Sequence, residues 1–296
     1  MLGAMTTTSS PFYDDDHHAF RDAVRAFVQK EIAPNVHEWD LAGEIPIEMY
    51  AKAGAIGLFG DGFDEEYGGH GQRDAIMRMV LIDEVCRAGS GGVMAALFSN
   101  YIGLPPIQKF APDHIKERVL PPCLSGEKIA ALAITEPSGG SDVARIRTTA
   151  RREGDEFVVN GSKTFITSGM RADYFTTAVR TGADGPSGIS LLLIEGDRPG
   201  LDRTKLDKMG WLASDTATLY FDDLRVPVDN LITEENAGFS AIVNNFNAER
   251  MDLAVQSTTF SRVCFDEALA WARERETFGK RLADHQVIRH KLAEMD

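Results

Sequence analysis

Apolar side chains recur along this chain with two periods, and the change of period divides it into three parts. Over residues 1–127 the spacing is helical. Phe20, Val24, Phe27 and Ile32 share a face and predict a helix ending at Pro34. Ile47, Tyr50 and Ala51, followed by Gly54, predict a second helix. Residues 73–88 (RDAIMRMVLIDEVCRA) and 91–103 predict two more, split by Gly89-Ser90-Gly91-Gly92. A shorter helix runs through residues 114–120 and is stopped by Pro121-Pro122. Asp64-Glu65-Glu66 before Tyr67-Gly68-Gly69 reads as a loop, and nothing in this first part looks catalytic.

From residue 128 to 235 the texture becomes that of strands. Residues 128–135 (KIAALAIT) are short and apolar, and Phe157-Val158-Val159 follows a Glu153-Gly154-Asp155 turn. Asn160-Gly161 carries a hairpin signature. Residues 174–180, 189–194 and 216–221 are further strand candidates. Past residue 236 the helical period returns, with one long helix over 238–274 free of proline. A break at Thr277-Phe278-Gly279 follows, then an amphipathic stretch over 285–296. The expected fold class is α+β. It comprises an N-terminal all-α domain (1–127), a middle antiparallel β-barrel or sandwich (128–235), and a C-terminal helical bundle begun at 236–296.

Composition narrows the function. The 296 residues carry 31 basic and 45 acidic side chains, a net charge of −14. A surface this acidic argues against nucleic acid and anionic membranes as partners. A phosphorylated ligand stays possible, because one local Arg and a few backbone N–H groups can hold phosphate. No apolar run is long enough to span a membrane. The first residues lack a basic-then-apolar targeting pattern. Cys86, Cys123 and Cys264 stand far apart and form no CxxC pair, which predicts a reducing, cytoplasmic setting and no metal site.

Four segments can carry chemistry, and each has a plainer reading. Thr135-Glu136-Pro137-Ser138-Gly139-Gly140-Ser141-Asp142 is a Gly-rich turn after a strand. It either aims N–H groups at a phosphate or flavin edge or is an ordinary turn. Lys163-Thr164-Phe165-Ile166-Thr167-Ser168-Gly169 forms a wall for a planar cofactor, or simply a strand and its turn. In the long helix, Glu249 falls on the apolar stripe of Ile242, Phe246 and Leu253. A carboxylate there is costly unless paired or used, and burial raises its pKa towards that of a general base. The plainer reading pairs it with a nearby Arg at the stripe edge. Arg273 to Lys280, with His285-Gln286, reads as a charged helix end.

In order and spacing, these segments resemble one family, the flavin-dependent acyl-CoA dehydrogenases. The resemblance rests on Ala133 to Asp142 (AITEPSGGSD), Lys163 to Gly169 (KTFITSG), and Arg275-Glu276-Thr277-Phe278-Gly279-Lys280 with His285-Gln286. Glu65-Glu66-Tyr67-Gly68-Gly69 is similar to the family's early loop, and the α–β–α layout agrees. The resemblance implies FAD held between the β domain and the C-terminal helices, with Ile134, Thr135 and Ser141 at the flavin. Phe165, Ile166 and Thr167 would line its ring, the family position of Phe165 often being Trp. Ser141, Phe246, Asn247 and Arg250 would contact the acyl-CoA. Arg275, Thr277, Phe278 and Gln286 would reach the FAD of a neighbouring subunit, which implies a homotetramer. Electrons would pass to an electron-transferring flavoprotein. Most members place the Glu base in a C-terminal loop, beyond residue 296 here. Those resembling the isovaleryl and long-chain enzymes place it on the long helix beside an Arg, as Glu249-Arg250 stands here. The family's C-terminal bundle has four helices, of which this chain supplies about two. The competing expectations are a flavin oxidase or monooxygenase of the same fold, and a non-catalytic CoA-ester-binding scaffold.

Overall fold

The computed structural model describes residues 12–71 and 74–296. The first eleven residues, read above for targeting, and Arg73, at the start of a predicted helix, lie outside the described residues.

The first part is built from helices α1 (Asp15–Phe27), α2 (Val36–Ala42), α3 (Glu48–Ala55), α4 (Ala75–Cys86), α5 (Gly91–Leu97), α6 (Ser99–Gly103), α7 (Pro105–Phe110) and α8 (Asp113–Leu124). Asp14 caps α1 by accepting from the His17 N–H, and Asp74 caps α4 by accepting from the N–H groups of Ile76 and Met77. Four expectations are corrected here. The first helical path does not end at Pro34. It widens into a π turn over Val28–Ile32, tightens over Ala33–Asn35 and continues as α2 to Gly43, whose φ of 75° ends it. The 91–103 segment is broken at Phe98, whose buried backbone leaves the helical region. Pro121 and Pro122 lie inside α8 rather than stopping it. Neither has an N–H to give to the preceding turn, but their carbonyls accept from Ser125 N (3.0 Å) and Lys128 N (2.9 Å), which closes the last turn. Glu65–Tyr67 forms a single tight helical turn within the acidic loop.

The second part is a curled sheet of β1 (Ala130–Ala133), β2 (Thr149–Glu153), β3 (Glu156–Thr167), β4 (Tyr174–Arg180), β5 (Ile189–Glu195), β6 (Leu201–Lys205) and β7 (Thr216–Pro227). The order is β1-β4-β2-β3-β7-β6, with β5 on β4. The sheet is mixed rather than antiparallel throughout. β1 and β2 both run parallel to β4, because long connections and not hairpins bring them to it. β2 and β6 are polar strands that the hydrophobic pattern did not reveal. Asn160-Gly161 is not a hairpin turn. It sits inside β3 at a register shift against β7. Gly161 has φ 142°, and a Cβ there would lie 2.7 Å from Thr148 Cα, so the glycine serves a bulge and a close approach. The turn between β2 and β3 falls at Gly154, φ 62°.

The third part is α9 (Gly238–Glu274), the small hairpin β8 (Glu276–Thr277) and β9 (Lys280–Arg281), and α10 (Gln286–Met295). One hydrophobic core runs from the first helices through the inner face of the sheet to Ala241 and Ile242 at the start of α9. The first half of α9 therefore lies against α4, α7 and β5, and the seam between helices and sheet is where the site forms.

Candidate active site

The sheet side of the seam is held by saturated polar groups. Lys163 and Glu136 are fully buried as an ion pair, Nζ to Oε1 2.9 Å. Lys163 Nζ also donates to the Ile134 carbonyl (3.0 Å), and Thr164 N donates to the Thr135 carbonyl (2.8 Å). The Glu136 carboxylate accepts from Arg147 N (2.7 Å) and Thr148 N (2.9 Å). Lys163 and these N–H donors keep the Glu136 carboxyl below the ordinary carboxylate range, against the opposing effect of burial. Burial brings the Lys163 ammonium down to about 8. The pair thus fixes the Gly-rich turn to β3.

Above this floor, Ile134, Thr135, Phe165, Ile166, Thr167, Phe246 and Glu249 surround one cavity of about 180 Å³. These are seven residues singled out from the sequence. Phe165 is 69% exposed with φ 59°, an aromatic face held out by an unusual backbone conformation. Among the described residues the hydroxyls of Thr135 and Thr167 make no hydrogen bond, so both remain available to a ligand. A flat aromatic wall edged by hydroxyls fits a flavin ring, and these residues would hold FAD.

Glu249 ties three hollows together. It lines the cavity just described, a small apolar one of about 120 Å³ with Met94, Phe98, Trp211 and Leu253, and a third of about 420 Å³ between α4, α7 and α9. Its Oε1 accepts from Asn245 Nδ2 at 2.7 Å, and Asn245 also donates to the Ile102 carbonyl (3.1 Å). Burial, and then the neighbouring Asp252 carboxylate, raise its pKa to about 7, against a smaller lowering by Arg250. Among the described residues Glu249 makes no ion pair, because Arg250 Nη1 donates to Asn247 Oδ1 (3.0 Å) instead. The stripe-edge pairing is therefore not formed.

Other sequence-selected residues lie elsewhere. Ser141, Asn247 and Arg250 are exposed. Ser141 flanks a polar hollow of about 650 Å³ that includes Ser138, Arg145, Arg147 and Arg180. Arg180 builds that hollow by donating to the carbonyls of Ala144, Ile146, Ala183 and Gly185. Arg275, Thr277, Phe278 and Gln286 lie at the far end of α9, with Phe278 98% exposed on the tip of the β8–β9 hairpin. The first part, in which nothing looked catalytic from the sequence, contributes a lining residue. Arg78 of α4 lines two of the hollows that Glu249 lines. Its signal was an Arg inside the apolar run IMRMVLI. No group of His, Cys, Asp and Glu among the described residues is arranged to hold a metal. No helix among them is long and apolar enough to cross a membrane.

Comparison with known proteins agrees with this fold. The chain matches the acyl-CoA dehydrogenase N-terminal domain over residues 14–127, the middle domain over 131–224 and the C-terminal domain over 236–296. It is 37% identical to the acyl-CoA dehydrogenase AFT10-1 of Alternaria alternata, over 95% of this chain and 68% of that protein. A crystal structure of a probable acyl-CoA dehydrogenase from Mycobacterium abscessus superposes with a TM-score of 0.93 at 50% identity, covering 96% of this chain and 76% of the other. A glutaryl-CoA dehydrogenase from Mycobacterium smegmatis, solved in complex with FADH2, superposes with a TM-score of 0.89 at 28% identity, covering 97% and 73%. With all three domains matched in order, the chain belongs to the acyl-CoA dehydrogenase family.

Proposed function

We propose that this protein is an FAD-dependent acyl-CoA dehydrogenase in which Glu249 removes the α-proton of the thioester. Family membership gives acyl-CoA dehydrogenation as the general activity. The observation that carries the assignment of Glu249 is its position. It is a largely buried carboxyl with a pKa near 7, and it borders the cavity walled by Phe165, Ile166 and Thr167. FAD bound at that wall supplies the acceptor for the hydride leaving the β-carbon. Glu249 takes the proton at Oε2, since Asn245 occupies Oε1. With a pKa near 7, about half the carboxyls are ionised at neutral pH, which suits a base acting on a weak carbon acid. Asn245 holds the carboxyl facing the cavity, and the apolar Phe246, Ile134 and Ile166 exclude water around it.

The CoA portion is assigned to the side of Ser141, Asn247 and Arg250, with the arginine-rich hollow beyond Ser141 facing its phosphates. The half-buried Thr277 and the exposed Phe278 stand far from their own chain's flavin wall, which supports a homotetramer whose hairpins serve neighbouring FAD sites. Electron-transferring flavoprotein is the proposed oxidant, and the free Cys86, Cys123 and Cys264 support a reducing, cytoplasmic setting. The test is anaerobic titration of the flavoprotein with a panel of acyl-CoAs. Bleaching of the oxidised-flavin absorbance is expected, with slow peroxide formation on admitting air. No bleaching by any acyl-CoA would defeat the reading, and rapid peroxide would turn it into an oxidase.

A further inference from the structure

The largest hollow beside Glu249 is built unlike a slot for a plain hydrocarbon tail. It shares Glu249 but none of Ile134, Thr135, Phe165, Ile166 and Thr167 with the flavin-wall cavity, and about 420 Å³ is room for a ligand segment rather than a single water. Arg78 lies on its wall, 3% exposed. The guanidinium stacks 3.4 Å from the Tyr101 ring centroid and 4.9 Å from that of Phe98. It is fixed by a fork to Asp252, Nη2 to Oδ2 2.7 Å and Nε to Oδ1 3.3 Å. Nη1 is buried and has no hydrogen-bond partner among the described residues. A buried guanidinium nitrogen without an acceptor is costly, and an acceptor brought by a ligand removes that cost. Gln108, Lys109 and Asn244 add further polar lining, with Lys109 Nζ donating to Asn244 Oδ1 at 2.8 Å.

We infer that Arg78 is a specificity residue that selects acyl groups carrying an uncharged oxygen, keto or hydroxyl, in the distal part of the chain. The inference rests on the proposed acyl-CoA dehydrogenation and adds the substrate class. A distal carboxylate is disfavoured, because it would stand beside the Glu249 carboxyl that lines the same hollow. Arg78 already spends its charge on Asp252, and what it has left is a hydrogen-bond donor.

The experiment compares kcat/KM for decanoyl-CoA with decanoyl-CoAs bearing one keto or hydroxyl group at each carbon of the distal half, and with the ω-carboxylate. At least one neutral oxygenated chain is expected to exceed decanoyl-CoA by about tenfold, or ~1.4 kcal/mol. In Arg78→Lys, which keeps a cation for Asp252, that ratio falls to near one. Equal kcat/KM for plain and oxygenated chains in the unmodified enzyme would overturn the inference, with water and not substrate meeting Nη1, as would a preference for the carboxylate. An unchanged ratio in Arg78→Lys would remove Arg78 from the selection. Failure of every acyl-CoA to bleach the flavin defeats the parent reading instead, so the two failures are distinguishable.

Discussion

The two walls of the site treat their buried charges in opposite ways. On the sheet side, Lys163 and Glu136 face one another, and the backbone adds the Ile134 carbonyl for Lys163 and the N–H groups of Arg147 and Thr148 for Glu136. On the helix side, Glu249 has one side-chain donor, and Arg78 has one nitrogen with no hydrogen-bond partner among the described residues. A saturated buried pair fixes backbone, and a partly satisfied buried group is poised to change its proton or to take a ligand. In the proposed function, that difference separates residues that would hold the cofactor platform from residues that would act on substrate.

The contrast can be broken from either side. The largest effect is expected on the saturated wall. Lys163→Met leaves the Glu136 carboxylate buried without its cation, which costs about 3–5 kcal/mol. Chemical denaturation should show this loss together with FAD affinity lowered beyond detection, and a fully stable, flavin-loaded variant would show that the pair holds nothing. On the other wall, Glu249→Gln is expected to be neutral or stabilising, with a definite pH dependence. The folded pKa near 7 lies above the ordinary 4.5. The stability this group contributes is therefore complete below about 4.5 and is lost as pH rises through about 7. The glutamine variant escapes that loss, so it should gain on the unmodified protein by an amount on the order of 2–3 kcal/mol at pH above 7. Melting curves that keep the same separation in acid and alkali would contradict the burial account. The smallest effect belongs to Phe165→Ala. The ring is 69% exposed, so stability should move by less than about 0.5 kcal/mol, while FAD affinity measured by flavin fluorescence should fall several-fold.

Much of this arrangement was legible in the sequence. A stretch free of proline, with glycine only at its start, marked α9 over 238–274, and apolar runs marked β4 and β5. The segments around Thr135, Phe165 and Glu249 converge on one cavity although they lie far apart in the chain. Less legible were β2 and β6, whose residues are mostly exposed and polar and so lack the apolar alternation of a strand. Asn160-Gly161 misled because a glycine needed for close approach to Thr148 looks like a glycine needed for a turn. Arg78 was missed because its meaning depends on Asp252, 174 residues away, and on two aromatic faces that only packing brings to it.

The central claim is that Glu249 is the base. Its most direct test is anaerobic rapid mixing of flavin-loaded Glu249→Gln with an acyl-CoA that bleaches the unmodified enzyme. FAD content should be unchanged, while the rate of flavin reduction falls by at least about 10²–10⁴-fold. The unmodified enzyme's kcat/KM should rise with pH through about 7 and level off above it, as the carboxylate forms. Reduction of the Glu249→Gln flavin at the unmodified rate would contradict the account and move the base elsewhere.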